Sequence, residues 1–164
     1  MLNNKISVII LENSKKDAQS LIAILQQLPQ IMIAGEAGSG EKGLTLVAKH
    51  QPQIVFINLE LTDMSGFNIA ALLREKDYCP FIVFLADNGD LAFDALGYQP
   101  LDFFVKPFQK ELIEKMLERL KMTTKKEILN KKLEKFTHNG EKEARRIFNL
   151  KIGIIVLHLD EIVY

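Results

Sequence analysis

Cysteine is nearly absent from this chain of 164 residues. The single Cys79 excludes an internal disulfide and fits a reducing compartment such as the cytoplasm. Cys79 itself reads as a small buried hydrophobe at the start of a strand. No run of apolar residues approaches the roughly 18 to 20 that a bilayer crossing needs, and residues 1–7 lack the apolar core of a secretory signal. Neither membrane insertion nor secretion is indicated. The three histidines, His50, His138 and His158, are too scattered for metal-ligand spacing and lie in no nucleophile pattern. Internal repeats and low-complexity tracts are also missing.

What is present, 48% hydrophobic and 26% charged, suffices for the core of one ordinary domain with a small appendage. A net charge of zero conceals an asymmetry. Residues 1–120 carry 11 Lys/Arg against 15 Asp/Glu, whereas residues 121–146 carry 9 against 4. A basic segment after an acidic domain reads either as a solvated helix face or as a connection to a nucleic-acid-binding module.

The chain is organised around Ile54-Val55-Phe56-Ile57-Asn58, a β-branched apolar run that ends on one polar residue and opens into a loop closed by Gly66. Such a run reads as a buried strand of a parallel sheet, whose chemistry sits at the carboxyl ends of its strands. Strand patterns also cover residues 5–11, 31–34, 81–85 and 101–105, with residues 35–40 a flexible loop. Between them lie amphipathic helices. The first is announced by a capping box, Ser14 with Asp17, and shows Ala18, Leu21, Ile22 and Leu25 inward before Pro29 closes it. The second turns Leu44, Val47 and Ala48 inward, and the third, over 67–76, Ile69, Leu72 and Leu73. The fourth has a stripe of Leu91, Ala92, Ala95 and Leu96, and the fifth, from about Gln109, carries Leu112, Ile113, Met116, Leu117 and Leu120. Phe103 and Phe104, adjacent in a strand, divide between core and surface.

Five such units predict an α/β protein, a flavodoxin-like (βα)5 three-layer sandwich with parallel strand order 2-1-3-4-5. Its switch point lies between the first and third strands and gathers Glu12, Asn13 and Asn58. Residues 1–121 form this domain and residues 122–145 a basic helical linker, extending the last helix or forming a second one. Residues 146–164 read as two strands that need a partner or a continuation of the chain to be stable.

With Glu12-Asn13 after the first strand, Asn58 after the third, Gly66 closing the loop and Lys106-Pro107 after the fifth, residues 5–121 resemble a response-regulator receiver domain. In that family an acidic pair and an aspartate bind Mg²⁺. The aspartate accepts a phosphoryl group, a hydroxyl residue after the fourth strand contacts it, and a lysine before a cis-proline pairs with it. The resemblance places Asn58 at the acceptor position, Glu12 and Asn13 at the acidic pair, Ala86 at the hydroxyl, Phe103 at the switch aromatic, and Lys106 and Pro107 at the lysine and cis-proline.

Glu12 and Lys106 keep the family's character; Asn13, Asn58 and Ala86 do not. A carboxamide is no nucleophile and presents hydrogens where a metal needs lone pairs. Glu12 and Lys106 alone sum to zero charge, with Lys106 pairing with Glu12 and satisfying the Asn58 carbonyl. The expectation is a pseudo-receiver with no catalytic residue and weak or absent Mg²⁺ binding, and no cofactor. Its partners are a second copy in a homodimer, joined through the face from the fourth helix to the fifth helix, or a histidine kinase or other regulatory protein. Two alternatives stay open: an unconventional acceptor at Glu60 or Asp63, and a pocket sensing a small anion through Lys106. A hydrolase on a similar fold lacks its nucleophile at Asn58. The tail resembles the opening of a LytTR-type DNA-binding domain, which implies DNA contact through a downstream domain absent from this chain.

Overall fold

The structure, a computed structural model, describes residues 5–134. Two compact units, Met1–Phe108 and Gln109–Tyr164, divide the chain. The first contains five strands: β1 (Ile6–Leu11), β2 (Ile31–Ala37), β3 (Ile54–Asn58), β4 (Phe81–Ala86) and β5 (Asp102–Val105). All pairings are parallel and the order is β2-β1-β3-β4-β5, the expected flavodoxin-like topology. Every residue of β3 is buried, as an uninterrupted apolar run requires when helices cover both sheet faces. Val8 to Leu11 and Ile82 to Leu85 extend that core on either side.

The helices of this unit are α1 (Lys15–Gln26), α2 (Gly40–His50), α3 (Gly66–Arg74) and α4 (Ala92–Ala95). Serines cap the first three: Ser14, Ser39 and Ser65 each accept a backbone N–H from three residues on. Several sequence expectations are corrected. β2 runs on to Ala37, because a register shift opposite Val8/Ile9 lets it stay paired with β1 as far as Leu11. Ala48 and Leu72 are exposed. The buried faces are Gly40, Gly43 and Val47 in α2, and Gly66, Ile69, Ala70 and Leu73 in α3. Gly43 belongs to that face because a Cβ there would stand 2.6 Å from the Leu11 side chain. The fourth helix is one turn, continued as a 3₁₀ turn over Leu96–Tyr98, and Leu91 is exposed. Phe103 and Phe104 are both buried. Cys79 is exposed in the loop before Pro80, two residues before the strand that was expected to cover it.

In the second unit, α5 (Lys110–Glu134) is a single 25-residue helix that passes Lys121 without a break. Ile113, Met116, Leu117 and Leu120 are buried at i, i+3, i+4 and i+7. Among the described residues no helix is long and apolar enough to cross a membrane. The rest of the expected linker, with His138, and the expected strands of 146–164, with His158, lie outside the described residues.

Candidate functional site at the carboxyl edge of the sheet

Strand register assembles the edge. Leu11 pairs with Ile57, Asn58 with Leu85 and Ala86 with Val105, so Glu12, Asn58, Ala86 and Lys106 follow one another across the ends of four adjacent strands. The Glu12 N–H continues the ladder to the Ala37 carbonyl at 3.0 Å, and Lys106 N–H does the same to Ala86 at 2.9 Å. The Lys106–Pro107 peptide is cis. Gly66 closes the loop after β3 by donating to the Leu59 carbonyl at 2.9 Å. A Cβ on Gly66 would lie 2.5 Å from the Asn58 carbonyl oxygen, so this approach of backbone to backbone admits glycine alone.

Asn58 is buried, and each end of its amide is engaged. Its Nδ2 donates to Glu12 Oε1 at 2.7 Å and to Asn13 Oδ1 at 3.2 Å, and its Oδ1 accepts the Glu60 N–H at 2.9 Å. Glu12 Oε1 also accepts the Ser14 N–H at 2.9 Å. The geometry uses the amide as an amide: a carboxylate at 58 would face the Glu12 and Asn13 oxygens with no hydrogen to offer.

Lys106 reaches into the same edge, half-buried, with its Nζ 3.1 Å from Glu12 Oε2, 2.9 Å from Asp17 Oδ2 and 3.2 Å from Asp87 Oδ1. Burial alone would lower the lysine's pKa, but hydrogen bonds to Asp17, Glu12 and Asp87 outweigh it and hold the ammonium above its ordinary range. The hydrogen bond from Lys106 in turn holds the Asp17 carboxyl below its ordinary value. The expected zero charge is thereby corrected: three carboxylates against one ammonium leave the cluster at −2. The expected contact of Lys106 with the Asn58 carbonyl is replaced by the Glu60 N–H.

Asp17 and Asp87 are the site residues that sequence reasoning missed. Asp17 fits a capping box, but the Ser14 N–H it would have accepted goes to Glu12, and its carboxylate turns to Lys106. Position in the fold carried the signal: Asp17 stands in the first turn of α1, the helix that follows β1, and Asp87 directly after β4. Asp63, offered as an unconventional acceptor, instead caps α2. Its two oxygens accept the Gly40 and Glu41 N–H groups at 2.7 and 2.9 Å, and those bonds lower its pKa. Glu60 is exposed and contributes its backbone, bridging to Ser65. Ala86 and Phe103 are buried without a side-chain polar group to offer.

An aromatic group packs beside β4. Phe67 stacks on Tyr98 with ring centroids 4.7 Å apart and meets Phe84 edge-on at 5.2 Å. Arg74 donates to the Tyr98 carbonyl, and to the Gln99 carbonyl and Oε1 at 2.8 and 2.9 Å, tying the end of α3 to the turn before β5.

Comparison with known proteins agrees with this geometry. The family of response regulator receiver domains matches residues 8–118. The chain is 27% identical over 159 residues to the "Sensory transduction protein LytT" of Bacillus anthracis, covering 97% of this chain and 65% of that protein. It is 28% identical over 122 residues to the "Transcriptional regulatory protein BtsR" of Escherichia coli K12, covering 74% and 51% respectively. It thus spans less than two thirds of the length of these relatives. Among solved structures, the response regulatory domain of mrkE from Klebsiella pneumoniae superposes with a TM-score of 0.66 at 24% identity, over 73% of this chain and 98% of that one. The response regulator domain of Thermotoga maritima CheB gives 0.62 at 19%, over 70% and 95%. These two likenesses establish the fold.

Proposed function

This chain belongs to the response regulator receiver domain family, and from that premise we propose that it is the regulatory module of a LytTR-type transcription regulator that works without phosphorylation. It acts through dimerisation or through binding a kinase or other regulatory protein, and DNA contact falls to a downstream domain. One observation carries the reading: the acceptor position holds a buried Asn58 whose amide is committed at both ends, to Glu12 and Asn13 and to the Glu60 N–H. Phosphoryl transfer needs an oxygen nucleophile, and the carboxamide supplies none. Ala86 supplies no hydroxyl, and Asp63 already spends both oxygens on α2.

The residues do not fit the family's Mg²⁺. A hard cation asks for free carboxylate oxygens, whereas Glu12 Oε1 faces the Asn58 amide hydrogens and Glu12 Oε2 faces the Lys106 ammonium. A small anion fares no better, since Lys106 is surrounded by three acids.

Incubation with acetyl phosphate and Mg²⁺, read by intact mass, tests this. The expected result is an unmodified chain, and a stable phospho-adduct overturns the reading. Asn58→Asp, treated in parallel, isolates the acceptor from the other departures, because it restores the nucleophile while leaving Asn13 and Ala86 in place.

A further inference from the structure

The turn that joins β4 to α4 carries an Asn-Gly pair, Asn88-Gly89, between two acids, Asp87 and Asp90. All four residues are exposed. Asn88 Oδ1 accepts the Asp90 N–H at 3.0 Å, which polarises the side-chain carbonyl and sets a donor where negative charge would gather on that oxygen. Gly89 brings no side chain, so its backbone nitrogen stands open to the Asn88 carboxamide. The turn itself does not require glycine there, because no glycine among the described residues has a positive φ. Of the described asparagines, Asn88 alone precedes a glycine. Asn58 is its opposite: buried, bonded at both ends of its amide and followed by Leu59.

We propose that Asn88 is a site of spontaneous, one-way deamidation that remodels the connection between β4 and α4. The Gly89 backbone nitrogen attacks Asn88 Cγ. The N–Cγ bond forms, the Cγ–Nδ2 bond breaks, and ammonia leaves with the proton that the Gly89 nitrogen gives up. The cyclic imide then takes up one water molecule from solvent. Opening at Cγ gives aspartate and opening at the backbone carbonyl gives isoaspartate, with no oxidation or reduction on either route. Both products place a further carboxylate between Asp87 and Asp90, in a stretch with no Lys or Arg between Lys76 and Lys106, and take the formal charge of the chain from zero to −1. Isoaspartate also routes the main chain through the former side chain, which inserts an extra carbon ahead of Gly89. The Gly89 carbonyl accepts the Ala92 N–H at 3.1 Å, and α4 is a single turn with no side-chain cap, so this is the bond that the inserted carbon displaces. The reaction uses only the chain and water, and it is independent of the state of Asn58.

Ageing of the whole chain in mildly alkaline buffer tests it, read by peptide mass mapping and by enzymatic methylation of isoaspartate. A synthetic peptide of residues 84–94 under the same conditions serves as the clock. Asn88 is expected to gain the mass of NH exchanged for O, to yield both products, and to react faster as pH rises and the attacking amide gives up its proton. Its rate in the folded chain falls within about tenfold of the peptide's, since an exposed loop opens at little cost. Gly89→Ala slows conversion about tenfold or more, because a Cβ crowds the attacking nitrogen. Asn88→Gln stops it at this position, and thermal melts followed by circular dichroism confirm that both variants fold. The Ala92 amide exchanges faster in the aged chain than in Asn88→Asp, which carries the added charge without the inserted carbon. An Asn88 that stays intact while the peptide converts, a Gly89→Ala rate equal to wild type, aspartate without isoaspartate, or an Ala92 amide no faster than in Asn88→Asp overturns the inference. A phospho-adduct in the acetyl phosphate experiment overturns the earlier reading and leaves this one standing.

Discussion

Two neighbouring stretches of the sheet's carboxyl edge follow opposite rules. Around β1 and β3, polar side chains are buried and bonded to one another: Asn58 to Glu12 and Asn13, Glu12 to Lys106, Lys106 to Asp17 and Asp87. Around α4, an apolar side chain, Phe93, stands in solvent. The first pattern is what a structural polar cluster needs, because an unpaired buried polar group is costly. The second has no use inside a monomer, because water gains nothing from a phenyl ring. The contrast teaches that the polar groups at the edge hold one another, whereas the ring on α4 has no such partner in the core.

The comparison breaks most readily at Glu12. Replacing it by Ala removes the acceptor of the Asn58 amide and the Ser14 N–H and the buried partner of Lys106. Breaking a buried pair from one side costs about 3–5 kcal/mol. Urea unfolding monitored by circular dichroism checks it. A loss below about 1 kcal/mol, the value for a surface ion pair, would mean that the edge is no structural cluster. Next in size is Gly66→Ala. Its Cβ would meet the Asn58 carbonyl oxygen at 2.5 Å and Leu59 Cα at 3.0 Å, both backbone atoms that cannot swing aside. Overpacking of this kind costs about 1–3 kcal/mol. The same unfolding series, with the Asn58 amide protons followed by NMR, shows whether the loop moves and carries Asn58 away from Glu12.

Strand order, the buried β3 run and the meeting of Glu12, Asn58 and Lys106 were legible in the sequence, since hydrophobic period and loop length leave a five-unit chain little choice of topology. Phe103, Leu72 and Ala48 were misjudged because a sequence stripe does not say how wide a face the neighbours cover. The one-turn α4 was hidden for another reason: Leu91, Ala92, Ala95 and Leu96 have helical spacing, yet Arg74 holds the carbonyls of Tyr98 and Gln99 and the chain tightens into a 3₁₀ turn instead. Asp17 and Asp87 escaped because reading the site by family position asks which residues stand where the family's acids stand. The cluster regains the −2 of a family-type site with acids from other positions, and charge balance around Lys106 is a three-dimensional property.

The smallest effect sharpens the comparison from the side of charge. Asp17 is bound to Lys106 yet keeps part of its surface in water, so its contribution near pH 7 is expected below about 1 kcal/mol, as for other screened pairs. Its sign with pH is definite. The folded-state pKa lies below the ordinary value of 3.8, so the unfolded chain binds protons first as pH falls. The stabilisation is therefore present above 3.8 and is lost as pH drops through the folded-state value. Lys106 behaves in the opposite sense. Its pKa is raised from the ordinary 10.5, so its contribution is complete below that value and disappears as pH climbs through the folded-state pKa. The ion cluster is thus intact across the whole neutral range and fails first on the acid side. Asp17→Asn should leave the urea midpoint at neutral pH nearly unchanged and flatten its decline below about pH 4, where the wild-type carboxyl takes up its proton. If both proteins decline with the same slope, Asp17 is solvated rather than bound to Lys106, and the cluster closes on Glu12 and Asp87 alone.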